Sequence, residues 1–276
     1  YRGSTSNPAN GFEWEINTVS PDWLINEEEG YAYALYTTWS AWKKDGSIGY
    51  MWMIGVTNES QDYGVYQPQV YYTEDGGESW EYIPLNLEDD YTLQEFLEPW
   101  EDENGNPMTI RPSFLTEDRT FPGTVDWEGK LHLFSNVYGS TTGDVTNPNE
   151  SNWINDDHPG GVIFDFIIDA DGLKQIEFVD HIYTRVVDST FGNMGWNHRL
   201  QTSKTLDEYN VFLLWSEDVF STEGELRNPD LKGFSYCDLF GQNFGSNNLT
   251  AGDLYEGFYF YPFVGEYATE SDYWYD

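Results

Sequence analysis

The sequence predicts an all-β protein of short antiparallel strands joined by tight turns. Three observations carry this. Aromatic residues fill 18% of the 276 positions, with 12 Trp, 21 Tyr and 17 Phe, and such side chains pack well on a pleated surface. The chain carries 26 glycines, which supply the positive-φ corners that tight turns need. Apolar residues gather in short runs bounded by turn signals, a pattern that argues against a helical bundle.

The elements follow in order. Residues 1–20 are polar, and Trp14 is where packing is expected to begin. Gly30 to Trp39 reads as a strand, residues 43–46 as a turn. Ile48 to Val56 is a nearly continuous apolar run, as expected for a strand buried on both faces. After a polar loop over 58–67, Pro68–Tyr72 and Glu81–Ile83 complete four strands in about 55 residues. Residues 86–112 interrupt the pattern and read as an insertion. Within it, Thr92-x-x-Glu95 ahead of Phe96-Leu97 is a capping-box signature, which predicts a short helix over 92–97. Strands resume over 119–136, where Leu131 and Leu133 alternate with Lys130 and His132 as in a half-buried strand. Val162–Ile168, a turn at 169–172 and Ile176–Val179 follow. The last third offers strands at 199–205, 211–215, 231–240 and 257–264, with polar loops over 139–160 and 217–231. This is at best four units of four strands, in a single domain over 1–276.

Tyr71-Tyr72-Thr73-Glu74-Asp75-Gly76-Gly77-Glu78-Ser79-Trp80 organises this reading. It is a strand, a polar turn and the start of the next strand. Thr73 and Asp75 can accept hydrogen bonds from backbone N–H groups of the turn, Gly77 permits the reversal, and Trp80 can fold back over it. The spacing Thr73-x-Asp75-x-Gly77-x-Ser79-Trp80 resembles the Asp-box of sialidase-like (BNR-repeat) β-propellers, with every defined position filled. The resemblance implies a β-propeller or partial propeller of four-stranded antiparallel blades, with long inter-blade loops. It implies a structural role for Thr73, Asp75, Gly77, Ser79 and Trp80, and no reaction. A broader likeness covers residues 115–265. Trp127–Phe134, Asn197–Thr205, Asn248–Thr250 and Tyr259–Val264 look like segments of propeller proteins exported by Bacteroidetes through the type IX secretion route. That likeness implies a secreted or cell-surface protein, with secretion-machinery or surface-assembly proteins among its partners.

Charge narrows the function classes. Forty-nine acidic residues against 12 basic ones leave a formal charge of −37, which repels nucleic acid and anionic membranes. Solubility in a salty medium explains such a surface, and divalent-cation binding is the functional alternative. A single cysteine, Cys237, excludes an intrachain disulfide, and its strand context predicts a buried thiol. No apolar run reaches membrane-spanning length, so no membrane insertion is expected. The chain begins at Tyr1, which reads as a piece of a longer precursor.

Candidate chemistry is sparse. A sialidase site needs three arginines around a carboxylate, because the planar guanidinium binds it bidentately, together with a Tyr–Glu pair. Six arginines are present, and Ile110-Arg111-Pro112 only scrambles the family's early Arg-Ile-Pro. Other glycoside hydrolases need two carboxylates at a set separation, and 49 acids do not single out a pair. Two loops are weak calcium candidates: Asp102-x-Asn104-x-Asn106, followed by Pro107 where an EF-hand has glycine, and Asp169-x-Asp171-Gly172. The four histidines lack zinc-ligand spacing. No cofactor is expected, calcium apart. The reading is a non-catalytic extracellular module that binds protein or glycan. Trp100, Trp153 and Trp196 on long loops are candidate contacts, and a sialidase-like glycoside hydrolase is the alternative.

Overall fold

The computed structural model describes residues 2–4, 9, 11, 13–60, 64–87, 90–97, 100–101, 104–108, 110–116, 119–140, 152–153, 160–185, 198–218, 230–250 and 263–269. Strands dominate. Two small hairpins open the chain, β1 (Arg2–Ser4) with β2 (Glu13–Glu15) and β3 (Ile25–Asn26) with β4 (Tyr31–Ala32). The first four-stranded sheet follows as an antiparallel meander of β5 (Ala34–Trp42), β6 (Gly49–Gly55), β7 (Gln67–Thr73) and β8 (Glu81–Ile83).

Helix α1 (Tyr91–Phe96) comes next. It starts one residue earlier than the sequence pattern suggests, and its cap differs. Asp90 is the N-cap, and its carboxylate accepts from the Thr92 and Leu93 amides at 2.9 and 3.3 Å. The third helical position is Leu93, so no reciprocal capping box forms. The Phe96 ring stacks on Phe178 with centroids 3.9 Å apart, which docks the helix on the next sheet. β9 (Trp100–Glu101) and β10 (Pro107–Met108) make a further hairpin. β11 (Arg111–Ser113) already belongs to the following sheet.

The middle sheet runs β12 (Gly123–Val125), β13 (Leu131–Ser140), β15 (Gly161–Asp169) and β16 (Gly172–Ile182), again as an antiparallel meander. β11 and β14 (Asn152–Trp153) pair with the far end of the long β13. The third sheet repeats the plan with β17 (Gln201–Thr205), β18 (Asn210–Glu217), β19 (Asp230–Cys237) and β20 (Gln242–Asn248). The short β21 (Tyr267–Ala268) lies parallel to β17. Among the described residues there are thus three four-stranded meanders, each a propeller-type blade. Residues 257–262 of the last predicted strand lie outside the described residues, and Phe263 and Val264 are not in a strand. The side chain of Trp14 is likewise outside them.

The sheets stack face to face. One apolar cluster joins Tyr50, Trp52, Ile54 and Val70 of the first sheet to Leu131, Leu133, Phe164 and Phe166 of the middle one. A second joins Phe134, Ile163, Ile167 and Val179 on the opposite face of the middle sheet to Val211, Leu213, Trp215 and Phe234 of the third. Close approach decides one residue type here. A Cβ on Gly123 would lie 2.7 Å from the Trp52 ring, so only glycine lets the first sheet reach β12.

Two burial expectations change. β13 is not half-buried: all ten of its residues are buried, His132 included. β6, expected to be covered on both faces, leaves Met51 and Met53 half-buried. The reason is position in the stack. Among the described residues, β13 has a sheet on either side, whereas β6 has one on one side only.

Candidate functional site

A meander returns the chain to the same rim at every second turn. The ends of β16, β18 and β20 and the starts of β17 and β19 therefore meet at one rim of the middle and third sheets. Among the polar side chains buried there are Asp180, Thr184, His198, Glu217 and Lys232. The Thr184 hydroxyl donates to Glu217 Oε1 at 2.6 Å, and the Tyr183 amide donates to Glu217 Oε2 at 3.3 Å. His198 Nε2 lies 3.2 Å from the Thr184 hydroxyl and 4.0 Å from Glu217 Oε2. Burial pushes the Glu217 carboxyl above the usual carboxylate range, against the opposing pull of His198 and the Thr184 hydroxyl. Lys232 pairs with Asp180, which also accepts from the Ser246 hydroxyl at 2.7 Å. The Lys232 ammonium sits 5.5 Å from the Trp215 ring centroid and 5.7 Å from that of Tyr183.

The opposite rim carries a second buried set. His132 Nδ1 is 2.6 Å from Asp165 Oδ2, and its Nε2 is 3.5 Å from Asp126 Oδ2, with all three side chains fully buried. Burial works against a charged ring, but the two carboxylates outweigh it and push the His132 pKa up to about 10. Burial pushes the Asp165 carboxyl up.

At the axis, the first strand of each sheet comes together: β12 runs beside both β5 and β17. Lys204 of β17 bolts them. Its ammonium donates to Trp42 O of β5 at 3.0 Å, to Val125 O of β12 at 2.9 Å and to Glu208 Oε1 at 2.6 Å. Glu208 also accepts from the Lys44 amide at 2.8 Å. Beside this bolt lies a cleft of about 260 Å³ lined by Ser40, Ala41, Trp42, Gly123, Thr124, Thr202 and Glu266.

The turn at 73–80 sits at the rim of the first sheet. The Thr73 hydroxyl donates to Asp75 at 2.8 Å and accepts from the Gly77 amide at 3.0 Å. Asp75 accepts from the Ser79 amide at 2.9 Å and hydroxyl at 2.7 Å. The Ser79 amide and hydroxyl, then the Thr73 hydroxyl, hold the Asp75 carboxyl well below its usual range. Gly77 has φ +89°, and Trp80 meets Trp42 edge to face at 5.7 Å. A related turn closes β17 to β18, where the Thr205 hydroxyl donates to Asp207 and accepts from the Asn210 amide at 3.1 Å.

The other sequence candidates are scattered. Trp100 and Trp153 have their backbones in β9 and β14, and their side chains lie outside the described residues, as do Trp196 and Asp102. Asn104 and Asn106 are in the β9–β10 connection. Asp169 and Asp171 face Lys174, whose ammonium is 3.1 and 3.5 Å from them, and Asp169 accepts from the Asp171 amide at 2.7 Å. Cys237 is buried. Among the described residues no group of three or more His, Cys, Asp or Glu side chains could hold a metal ion. Sequence reasoning missed Glu217, His198, Asp180, Lys232 and the Lys204 bolt. The one available signal was an ionisable residue inside or just beyond an apolar run, as in Leu213-Leu214-Trp215-Ser216-Glu217.

Fold and site together define an all-β protein of propeller-type blades. No family model and no curated protein matches the chain. Among solved structures, it is similar to an endo-1,5-α-L-arabinanase from Thermotoga petrophila, at 13% identity and a TM-score of 0.27, over 72% of this chain and 39% of that one. It is also similar to a GH74 enzyme from Niastella koreensis, at 12% identity and a TM-score of 0.27, over 78% of this chain and 30% of that one. The chain therefore spans well under half the length of either enzyme, and likenesses at this level carry no inference about activity.

Proposed function

We propose that this chain is a non-catalytic, extracellular β-propeller-type module that presents its blade ends to a protein or glycan partner, surface-assembly or secretion-machinery proteins included. One observation carries the reading. The ionisable groups buried between the middle and third sheets are engaged with one another: Glu217 with Thr184 and His198, Asp180 with Lys232, Asp165 and Asp126 with His132. The Glu217 and Asp180 sets cross from the middle sheet to the third and hold the two blades in register, while the His132 set lies within the middle sheet. The axial cleft, by contrast, is lined by Ser40, Thr124 and Thr202, by Ala41, Trp42 and Gly123, and by a single acidic residue, Glu266. The acidic surface suits an exposed protein in a salty medium. The Thr73–Trp80 corner serves in this reading as an Asp-box, a brace for the first blade.

A glycoside hydrolase is the second reading, and Glu217 is what favours it. A carboxyl raised by burial beside a histidine is the kind of group that donates a proton to a leaving oxygen. The test is turnover of aryl glycosides and soluble polysaccharides by wild type and Glu217→Gln. The module reading expects no turnover by either protein. Turnover by wild type that disappears in Glu217→Gln, with the fold intact, would replace it with the hydrolase.

A further inference from the structure

We infer that the axial cleft binds a single neutral polyol ring the size of a monosaccharide; this deepens the module reading and rests on it. The cleft exists because three sheets bring their first strands together. Within its own sheet β5 pairs only with β6, and β12 only with β13, so each presents its other edge toward the axis. Peptide N–H and C=O groups on such edges can serve a ligand, as they would an added strand.

The lining determines the ligand class. Ser40 and Glu266 are exposed, Thr202 is half-buried and Thr124 is buried. Hydroxyls both donate and accept, which matches the hydroxyls of a sugar ring. An apolar ligand would take water from the exposed Ser40 and Glu266 side chains and give no partner in return. An anion would meet Glu266 and a chain of net charge −37. A divalent metal takes six or more oxygen ligands, often several of them carboxylates, and the cleft offers one carboxylate. The volume, about 260 Å³, lies just under the range of roughly 300–1,000 Å³ typical of drug-sized ligands, so it suits one ring and not a chain.

The frame is held before any ligand arrives. Lys204 fixes Trp42 O and Val125 O on two walls, and the Thr202 hydroxyl donates to Gly123 O at 3.2 Å. Glu266 is fixed through its carbonyl, which accepts from the Lys204 amide at 3.1 Å and the Ser203 hydroxyl at 3.4 Å. A site with its walls already pinned loses little freedom on binding. The Trp42 ring is packed against Trp80, so recognition relies on hydrogen bonds, and dissociation constants are expected on the order of millimolar.

The experiment is saturation-transfer NMR on the full chain with methyl β-D-glucoside, methyl β-D-galactoside and myo-inositol as probes. Ser40→Phe fills the cleft from an exposed position, and Glu266→Gln removes its carboxylate without changing its shape. The expected result is transfer to at least one neutral probe, reduced about tenfold or more in Ser40→Phe while the melting temperature stays put. Glu266→Gln should weaken the same signal by a smaller factor. Absence of transfer to all three probes would overturn the inference, and so would undiminished transfer in both variants. Glycan binding that survives both cleft variants but falls in Trp100→Ala or Trp153→Ala would move the site to the loops and leave the module reading intact. Hydrolysis of the glucoside or galactoside would remove that reading itself.

Discussion

The middle sheet and its two neighbours are built from the same kind of strand, yet they carry their polar residues differently. The middle sheet is covered on both faces: β13 is buried throughout, and β15 is buried from Gly161 to Ile168. Among the described residues, the outer sheets are covered on one face. In the first, Met51, Met53 and Tyr71 are half-buried and Tyr82 is 45% exposed; in the third, Phe244 is 52% exposed. A polar side chain on an outer face finds water, whereas one in the middle sheet must find a protein partner. His132 meets Asp165 at 2.6 Å for that reason, with Asp126 3.5 Å from the other ring nitrogen, and the same pressure pairs Asp180 with Lys232 across the seam.

Experiments can break or sharpen this contrast. The largest effect is expected at the axis, where all three sheets meet. Lys204→Met removes an ammonium that serves two carbonyls and Glu208 and leaves that buried carboxylate without its cation, which should cost about 3–5 kcal/mol in urea unfolding. Adding Glu208→Gln should restore part of that loss. A single variant as stable as wild type would mean that the first strands are not held together through Lys204.

Next comes the middle core. Phe166 is fully buried and packs 5.1 Å from the Phe114 ring, so Phe166→Ala should cost about 3–4 kcal/mol. Equal costs for Phe166→Ala and an outer-face truncation would abolish the distinction between the sheets.

The third prediction concerns pH. His132 is held protonated in the folded protein, with a pKa of about 10 against 6.5 for a free imidazole. A folded pKa above the unfolded one contributes stability that is complete below about pH 6.5 and is lost as pH rises through 10. Unfolding free energy should therefore fall more steeply between those limits in wild type than in His132→Gln. Parallel profiles for the two proteins would show that the ring is neutral in the fold.

A smaller effect belongs to the first sheet's corner. Thr73→Val removes the acceptor of the Gly77 amide and the donor to Asp75, and about 1 kcal/mol should be lost in thermal unfolding. Smallest of all, Phe244→Ser on the open face of the third sheet should change stability by no more than about 0.5 kcal/mol. A larger loss would mean that this face is covered in solution.

Much of the fold was legible in the sequence, because strands and turns follow from local chemistry. The Thr73–Trp80 turn closes through side chains two to four residues apart, and nothing distant is needed to see it. The short helix was legible too, although its cap moved from Thr92 to Asp90, whose side chain accepts from two amides of the first turn. Burial was misjudged in opposite directions. The alternating Lys130–Leu133 pattern belongs to the most deeply buried strand, and the apolar Ile48–Val56 run belongs to an outer sheet. The candidate site was not legible at all. Glu217, Thr184 and His198 are separated by up to 33 residues, and no spacing rule connects them.

By itself, then, the sequence determined an all-β chain, the places where it turns, the braced corner at 73–80 and a surface of strong negative charge. Those properties depend on neighbours along the chain or on composition. Only the tertiary structure decided which sheet lies in the middle, which of the many acids are buried beside a cation, and that three first strands enclose a cleft around Lys204. Those properties depend on which faces meet, and stacking brings together residues as far apart as Trp42 and Lys204.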